Sequence, residues 1–159
     1  MLMTSVQYGL LVALAIALLY AAFTDIRSRT ISNWLNLAIA IVAPVFWWAS
    51  GLSLWPDVAI QLGVAIAAFA VFAAMFAFGM MGGGDVKLLT ALALWIEPNA
   101  FLQLLLVMAI AGGLLTIAMA FVHAMRKRKE KLAIPYGVAI AIGALWTLLP
   151  RLTEVPTIA

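Results

Sequence analysis

Five stretches of this chain, 1–24, 30–56, 58–84, 98–125 and 132–150, contain no formally charged side chain. Each approaches or exceeds the ~20 residues that carry an α-helix across ~30 Å of hydrocarbon. A water-soluble domain cannot be built from such segments, because it must cover its surface with polar groups. Only 9% of the 159 residues are charged and 67% are hydrophobic, against about 25% charged in an ordinary soluble domain. The expected fold class is all-α: a polytopic membrane protein, with residues 1–159 forming one domain. There is no cysteine, which excludes disulfides, thiol nucleophiles and thiolate zinc sites.

A sixth crossing depends on the uncharged stretch 88–96. At 1.5 Å per residue it spans roughly 14 Å, too little by itself. A helix running from Met80 to Ile96 reaches about 25 Å and crosses. The expected spans are therefore 5–24, 33–50, 57–79, 80–96, 99–124 and 134–149, six transmembrane helices. The first is not a cleavable signal peptide, because its flanking cations, Arg27 and Arg29, follow it rather than precede it.

Charge sidedness sets the orientation. Arg27 and Arg29 follow helix 1, Lys87 lies between helices 3 and 4, and Arg126, Lys127, Arg128, Lys129 and Lys131 lie between helices 5 and 6. These are eight of the nine basic residues, all in odd-numbered connections. The even connections and the tail hold Asp57, Glu97, Arg151 and Glu154. Because cytoplasmic loops are enriched in Lys and Arg, both termini are expected outside. The basic run 126–131 reads as a topology anchor against anionic headgroups. It lacks the aromatic interleaving and extent of a nucleic-acid surface, so no nucleic-acid partner is expected. Pro44 and Pro56 are expected to punctuate the second connection, and Gly112 and Gly113 to let helices approach closely. Trp34, Trp55, Trp95 and Trp146 suit the interface, while Trp47, Trp48 and the methionines read as lipid-facing or packing residues.

Ionisable groups in a membrane are expensive, so each is a functional candidate. Asp25 ends helix 1, and Asp85 follows the glycines Gly82, Gly83 and Gly84. The topology puts both at the cytoplasmic end, whereas Asp57 and Glu97 fall on the other side. Two carboxyls sharing a site cannot both ionise cheaply, so one acts as general acid while the other activates water. The glycines allow close backbone approach beside the carboxylate, and Lys87 can favour the ionised form of a neighbouring Asp. A purely structural alternative stands beside this: Asp25 pairing with Arg27 or Arg29, and Asp85 capping a helix start.

Other constellations lack parts. There is one histidine and no H-E-x-x-H, which excludes a zincin. There is no G-x-S-x-G elbow, and His123 reads as an interfacial residue. Nothing in the spacing supports a Ser28–Lys87 or Ser32–Lys87 pair. Asp25 and Asp85 alone would under-coordinate a divalent metal, so neither metal nor cofactor is expected.

Gly82, Gly84, Asp85 and Lys87 resemble the G-x-G-D-x-K signature of the type IV prepilin peptidases, a branch of the GxGD aspartyl membrane peptidases. Asp25, followed by basic residues and then Ile31, Ser32 and Asn33, is similar to that family's D-x(5)-I-P-N element. Ile134, Pro135, Tyr136 and Gly137 are similar to its proline–aromatic–glycine element. The three occur in the family's order. Ser32 stands where proline is usual, and Val138 where many members carry a second proline. The resemblance implies an endopeptidase that removes the leader from prepilins or pseudopilins at the cytoplasmic face of the bacterial inner membrane. Asp25 and Asp85 would be catalytic, with Gly82, Gly84, Lys87, Pro135, Tyr136 and Gly137 supporting. Long bifunctional members add an N-terminal cytoplasmic region, often with CxxC pairs, associated with N-methylation. This chain begins directly with a membrane helix, so the resemblance implies the short, peptidase-only TadV/CpaA type of Flp (tight-adherence) pili. The competing readings are a non-enzymatic assembly subunit and a small proton-coupled transporter using the same Asp pair.

Overall fold

The computed structural model describes residues 2–125 and 134–153, the side chains of residues 2–4 excepted. The basic stretch 126–131, Glu154 and the C-terminal tail lie outside the described residues, and with them the expectations attached to those segments. The described residues contain six α-helices and no strand: α1 (Leu2–Ser28), α2 (Asn33–Ala49), α3 (Ala59–Ala77), α4 (Gly83–Ala93), α5 (Pro98–Met125) and α6 (Tyr136–Thr153). A kinked turn, Leu54–Val58, in which Trp55 is extended (φ −137°, ψ 127°), leads into α3.

Four segments are long and apolar enough to cross a membrane: Ser5–Ser28, Leu54–Ala77, Pro98–Met125 and Tyr136–Thr153. The chain is a multi-pass membrane protein on that basis. The helix α2 is apolar but has 17 residues.

The largest departure from the sequence expectation is α4. Instead of running over 80–96 it has 11 residues, or about 16 Å of helix. Gly79 turns the chain with φ 71°, and Gly82 is still extended, with ψ 144°. At the other end, Trp95 and Ile96 fold their N–H groups back onto the Leu92 carbonyl. A helix that stops inside an apolar bundle leaves carbonyls unpaired, and these must be satisfied by protein. Here Gln61 Nε2 of α3 donates to the Ala93 and Ile96 carbonyls at 2.8 and 2.6 Å. Trp47 Nε1 of α2 donates to the Leu94 carbonyl at 2.7 Å.

The tryptophans divide accordingly. Trp34, Trp48, Trp55 and Trp146 are exposed. Trp95, expected at the interface, is buried instead, stacked on Phe46 at 4.8 Å with its indole N–H on the Ile39 carbonyl at 2.8 Å. Trp47, expected to face lipid or to pack, serves as the cap just described. Pro44 lies inside α2 rather than in the connection after it, as apolar membrane helices tolerate.

The helices α4 and α6 form the inner pair. The first packs on α2, α3 and α6, and the second on α1, α4 and α5. Leu18, Leu88, Leu92, Leu104 and Ile140 are fully enclosed between them and their neighbours. Small residues set the spacing, as expected where lipid supplies no hydrophobic drive between helices. A Cβ on Gly143 would lie 2.6 Å from the Leu104 carbonyl oxygen, so α5 and α6 meet backbone to backbone there. Of the expected glycine pair in α5, Gly112 faces the Tyr136 ring, and Gly113 has nothing near it.

Cross-links between helices define two ends of the bundle. At one end Tyr8 donates to the Leu152 carbonyl at 2.5 Å, and Arg151 pairs with Glu97. At the opposite end the last turn of α1 meets the starts of α2, α4 and α6.

Candidate active site

Asp25 lies within the last turn of α1, since the helix continues past the apolar run to Ser28. The Ser28 hydroxyl bonds the Thr24 carbonyl at 2.8 Å. Arg29, in the left-handed region with φ 56°, closes the helix through its N–H on the Asp25 carbonyl at 3.0 Å. The Asp25 side chain turns inward and is 6% exposed. Its Oδ2 accepts the backbone N–H of Gly137 at 2.8 Å. Gly137 is the second residue of α6, so the carboxyl rests on a helix N-terminus, where free N–H groups and the helix dipole favour negative charge. A Cβ at 137 would fall 2.9 Å from that Oδ2 and 3.0 Å from Asp25 Cβ and Cγ. Only glycine fits.

Asp85 is half-buried in the first turn of α4. Gly82 is the N-cap, which makes Asp85 the third helical residue. Its carboxyl reaches back to the Gly82 backbone N–H, the reciprocal half of a capping box. A Cβ on Gly82 would sit 2.9 Å from Asp85 Oδ2. Gly84, next to Asp85, packs on Ile31, six residues after Asp25, so the two carboxyls fall at one corner of the bundle, within electrostatic reach of each other.

The start of α2 supports this corner. A Cβ on Gly84 would press on Ile31 Cβ at 3.2 Å. Buried Asn36 donates Nδ2 to the Gly84 carbonyl at 3.3 Å, and Lys87 Nζ donates to Asn33 Oδ1 at 2.8 Å. The stretch Ile31, Ser32 and Asn33 and the stretch Gly84, Asp85, Val86 and Lys87 are therefore packed on one another. Pro135 is buried just ahead of α6, and Tyr136 lies over Gly112 of α5.

Asp85 does cap its helix. Asp25 feels the charge of Arg29, yet the ion pair found among the described residues is Arg151 with Glu97. Lys87 is engaged by Asn33 rather than by either Asp or by a serine, while Ser28 bonds Thr24 and Thr30. His123 is half-buried in the last turn of α5. Among the described residues, no three His, Asp or Glu side chains come together as a metal site. Asp57 accepts from the Ser53 N–H and hydroxyl at 3.0 and 2.8 Å, a local turn on the other end of the bundle. Asn36 was not singled out by sequence. Its only signal there is an amide in the apolar stretch 34–49.

A family model described as the type IV leader peptidase family matches residues 12–117, about two thirds of the chain. The chain belongs to the type IV leader peptidase family. That is a family of peptidases, hence of hydrolases. The matched segment contains Asp25, Gly82, Gly84, Asp85 and Lys87 and ends before Pro135. No curated protein and no solved structure gives a significant match. For a leader peptidase, the corner where α1, α2, α4 and α6 meet offers two carboxyls, each held by a glycine N–H, with glycine as the neighbour that leaves them room.

Proposed function

We propose that this leader peptidase is an aspartyl endopeptidase in which Asp25 and Asp85 cleave the leader from type IV prepilins of the Flp type. It would act at the cytoplasmic face of the bacterial inner membrane, with six crossings and both termini outside. One observation carries the reading: the Asp25 and Asp85 carboxyls, on different helices, share one corner, and each is oriented by a backbone N–H. One carboxylate takes a proton from water as it attacks the scissile carbonyl. The other carboxyl donates a proton to the departing amide nitrogen, and the roles reverse on return. The Gly137 N–H orients Asp25, and the Gly82 N–H orients Asp85. Neither amide carries a side chain that would obstruct a peptide.

A proton-coupled transporter needs ionisable or polar groups through the depth of the membrane. Among the described residues, the buried polar side chains are Asp25, Asn36, Gln61 and Thr147. Asn36, Gln61 and Thr147 are neutral and bond backbone carbonyls. A peptidase fits that distribution better. Co-expression with a prepilin tests the proposal through a shift of the pilin to its mature size. A prepilin that stays full length beside well-expressed protein, across several candidate pilins, would count against it.

A further inference from the structure

A groove of about 370 Å³ runs between α2 and α4. Asn33, Leu37 and Ala40 line it from α2, and Lys87, Ala91 and the C-cap residue Leu94 line it from α4. Each set has the spacing i, i+4, i+7, so one continuous stripe of each helix faces the other. Asn36 and Thr90 also line it, one turn in, with their side chains bonded to the Gly84 and Val86 carbonyls; beyond them both stripes are apolar, and Phe69 of α3 adds a further apolar wall. From mouth to far end the groove follows about 10 Å of helix.

The mouth is electropositive. The Lys87 ammonium bonds the neutral Asn33 amide, and no carboxylate pairs with it among the described residues. The helix α2 begins at the same point, and its N-cap Ser32 makes no side-chain capping bond. The first N–H groups of α2 therefore add their positive potential to that of Lys87. Trp34 stands beside the mouth at 79% exposure, the placement of an indole at headgroup depth.

We infer that this groove binds an anionic phospholipid, its phosphate at Lys87 and the start of α2 and one acyl chain between the α2 and α4 stripes. Charge complementarity selects the headgroup, and the apolar stripes select the chain. The alternative occupant, a prepilin segment, fits less well. Residues 85 and 87 point about 200° apart around α4, so the groove lies around the helix from the Asp85 carboxyl. The inference is independent of the proposed peptidase activity.

Native mass spectrometry of the full chain in detergent, titrated with phosphatidylglycerol, phosphatidylethanolamine or diacylglycerol, tests it. Phosphatidylglycerol should be retained at least about fivefold better than phosphatidylethanolamine, and diacylglycerol least. Lys87→Gln should erase the preference for the anionic lipid, and Lys87→Arg should keep it. Ala40→Phe, which fills the groove beside α4, should lower retention of phosphatidylglycerol without changing the helical circular dichroism. Equal retention of the two phospholipids, or a preference that survives Lys87→Gln, would overturn the inference. So would a photo-crosslinker at position 37 that captures co-expressed prepilin in place of lipid.

Discussion

The backbone N–H of Gly137 donates to Asp25 Oδ2 at 2.8 Å across 112 residues of sequence, and the same glycine leaves no space for a Cβ. This bond joins the end of α1 to the start of α6. It also gives the proline–aromatic–glycine element a physical task, since Tyr136 rests on Gly112 while Gly137 holds the carboxyl.

Gly137→Ala should therefore lower pilin processing by at least about tenfold, the loss expected when a charge-assisted hydrogen bond is displaced. The ratio of mature to precursor pilin, at matched membrane levels, reports it. Processing close to wild type would show that Asp25 does not depend on this amide.

Asp25→Asn and Asp85→Asn keep the shape of each side chain and remove its acid–base capacity. Each should reduce processing by about 100-fold or more. Asp57→Asn and Glu97→Gln provide the contrast. The first touches a local turn at Ser53, and the second loosens an exposed ion pair with Arg151, worth about 0–1 kcal/mol. Both should process pilin nearly normally. Efficient maturation by either Asp25→Asn or Asp85→Asn would rule out the aspartyl mechanism.

Gln61→Leu should destabilise the protein without touching the carboxyls. It strips the Ala93 and Ile96 carbonyls of their donor, at about 1–3 kcal/mol for a buried group left unpaired. Gly143→Val should act similarly by driving a side chain into the Leu104 carbonyl. Denaturation midpoints in detergent measure both. A midpoint unchanged by Gln61→Leu would mean that water already reaches the end of α4.

A reporter fused after Arg29 or Lys87 should read cytoplasm, and one fused near Leu54 or Asn99 should read the outside, from the sidedness of the basic residues. The structure places Asp25, Lys87 and Asn33 at one end of the bundle, so the first two fusions must agree. Opposite signals would contradict both the topology and the shared corner.

Much of the molecule is legible in the sequence because a bilayer imposes a one-dimensional rule. Long uncharged runs become helices wherever they occur, and α2, α3, α5 and α6 start and stop within a few residues of their expected bounds. The short α4 was less legible. Its extent depends on Gly79 and Gly82 breaking the chain before it, and on Gln61 and Trp47 accepting its loose end after it. Neither donor lies near it in sequence. Periodicity carries no information about which distant amide will find which carbonyl.

The same division runs through the candidate site. Charge sparsity alone marks Asp25 and Asp85, since an acid beside an apolar run is conspicuous, and the resemblance of the surrounding motifs needs only their order. Composition and residue order are enough to specify a helical membrane chain with two acids at helix ends. Helix packing is what sets Asp25 against Gly137, Lys87 against Asn33 and Asn36 against the Gly84 carbonyl. Each is a side-chain hydrogen bond of 2.8 to 3.3 Å to a group on another helix, and such bonds follow from where helices cross, which no local pattern encodes.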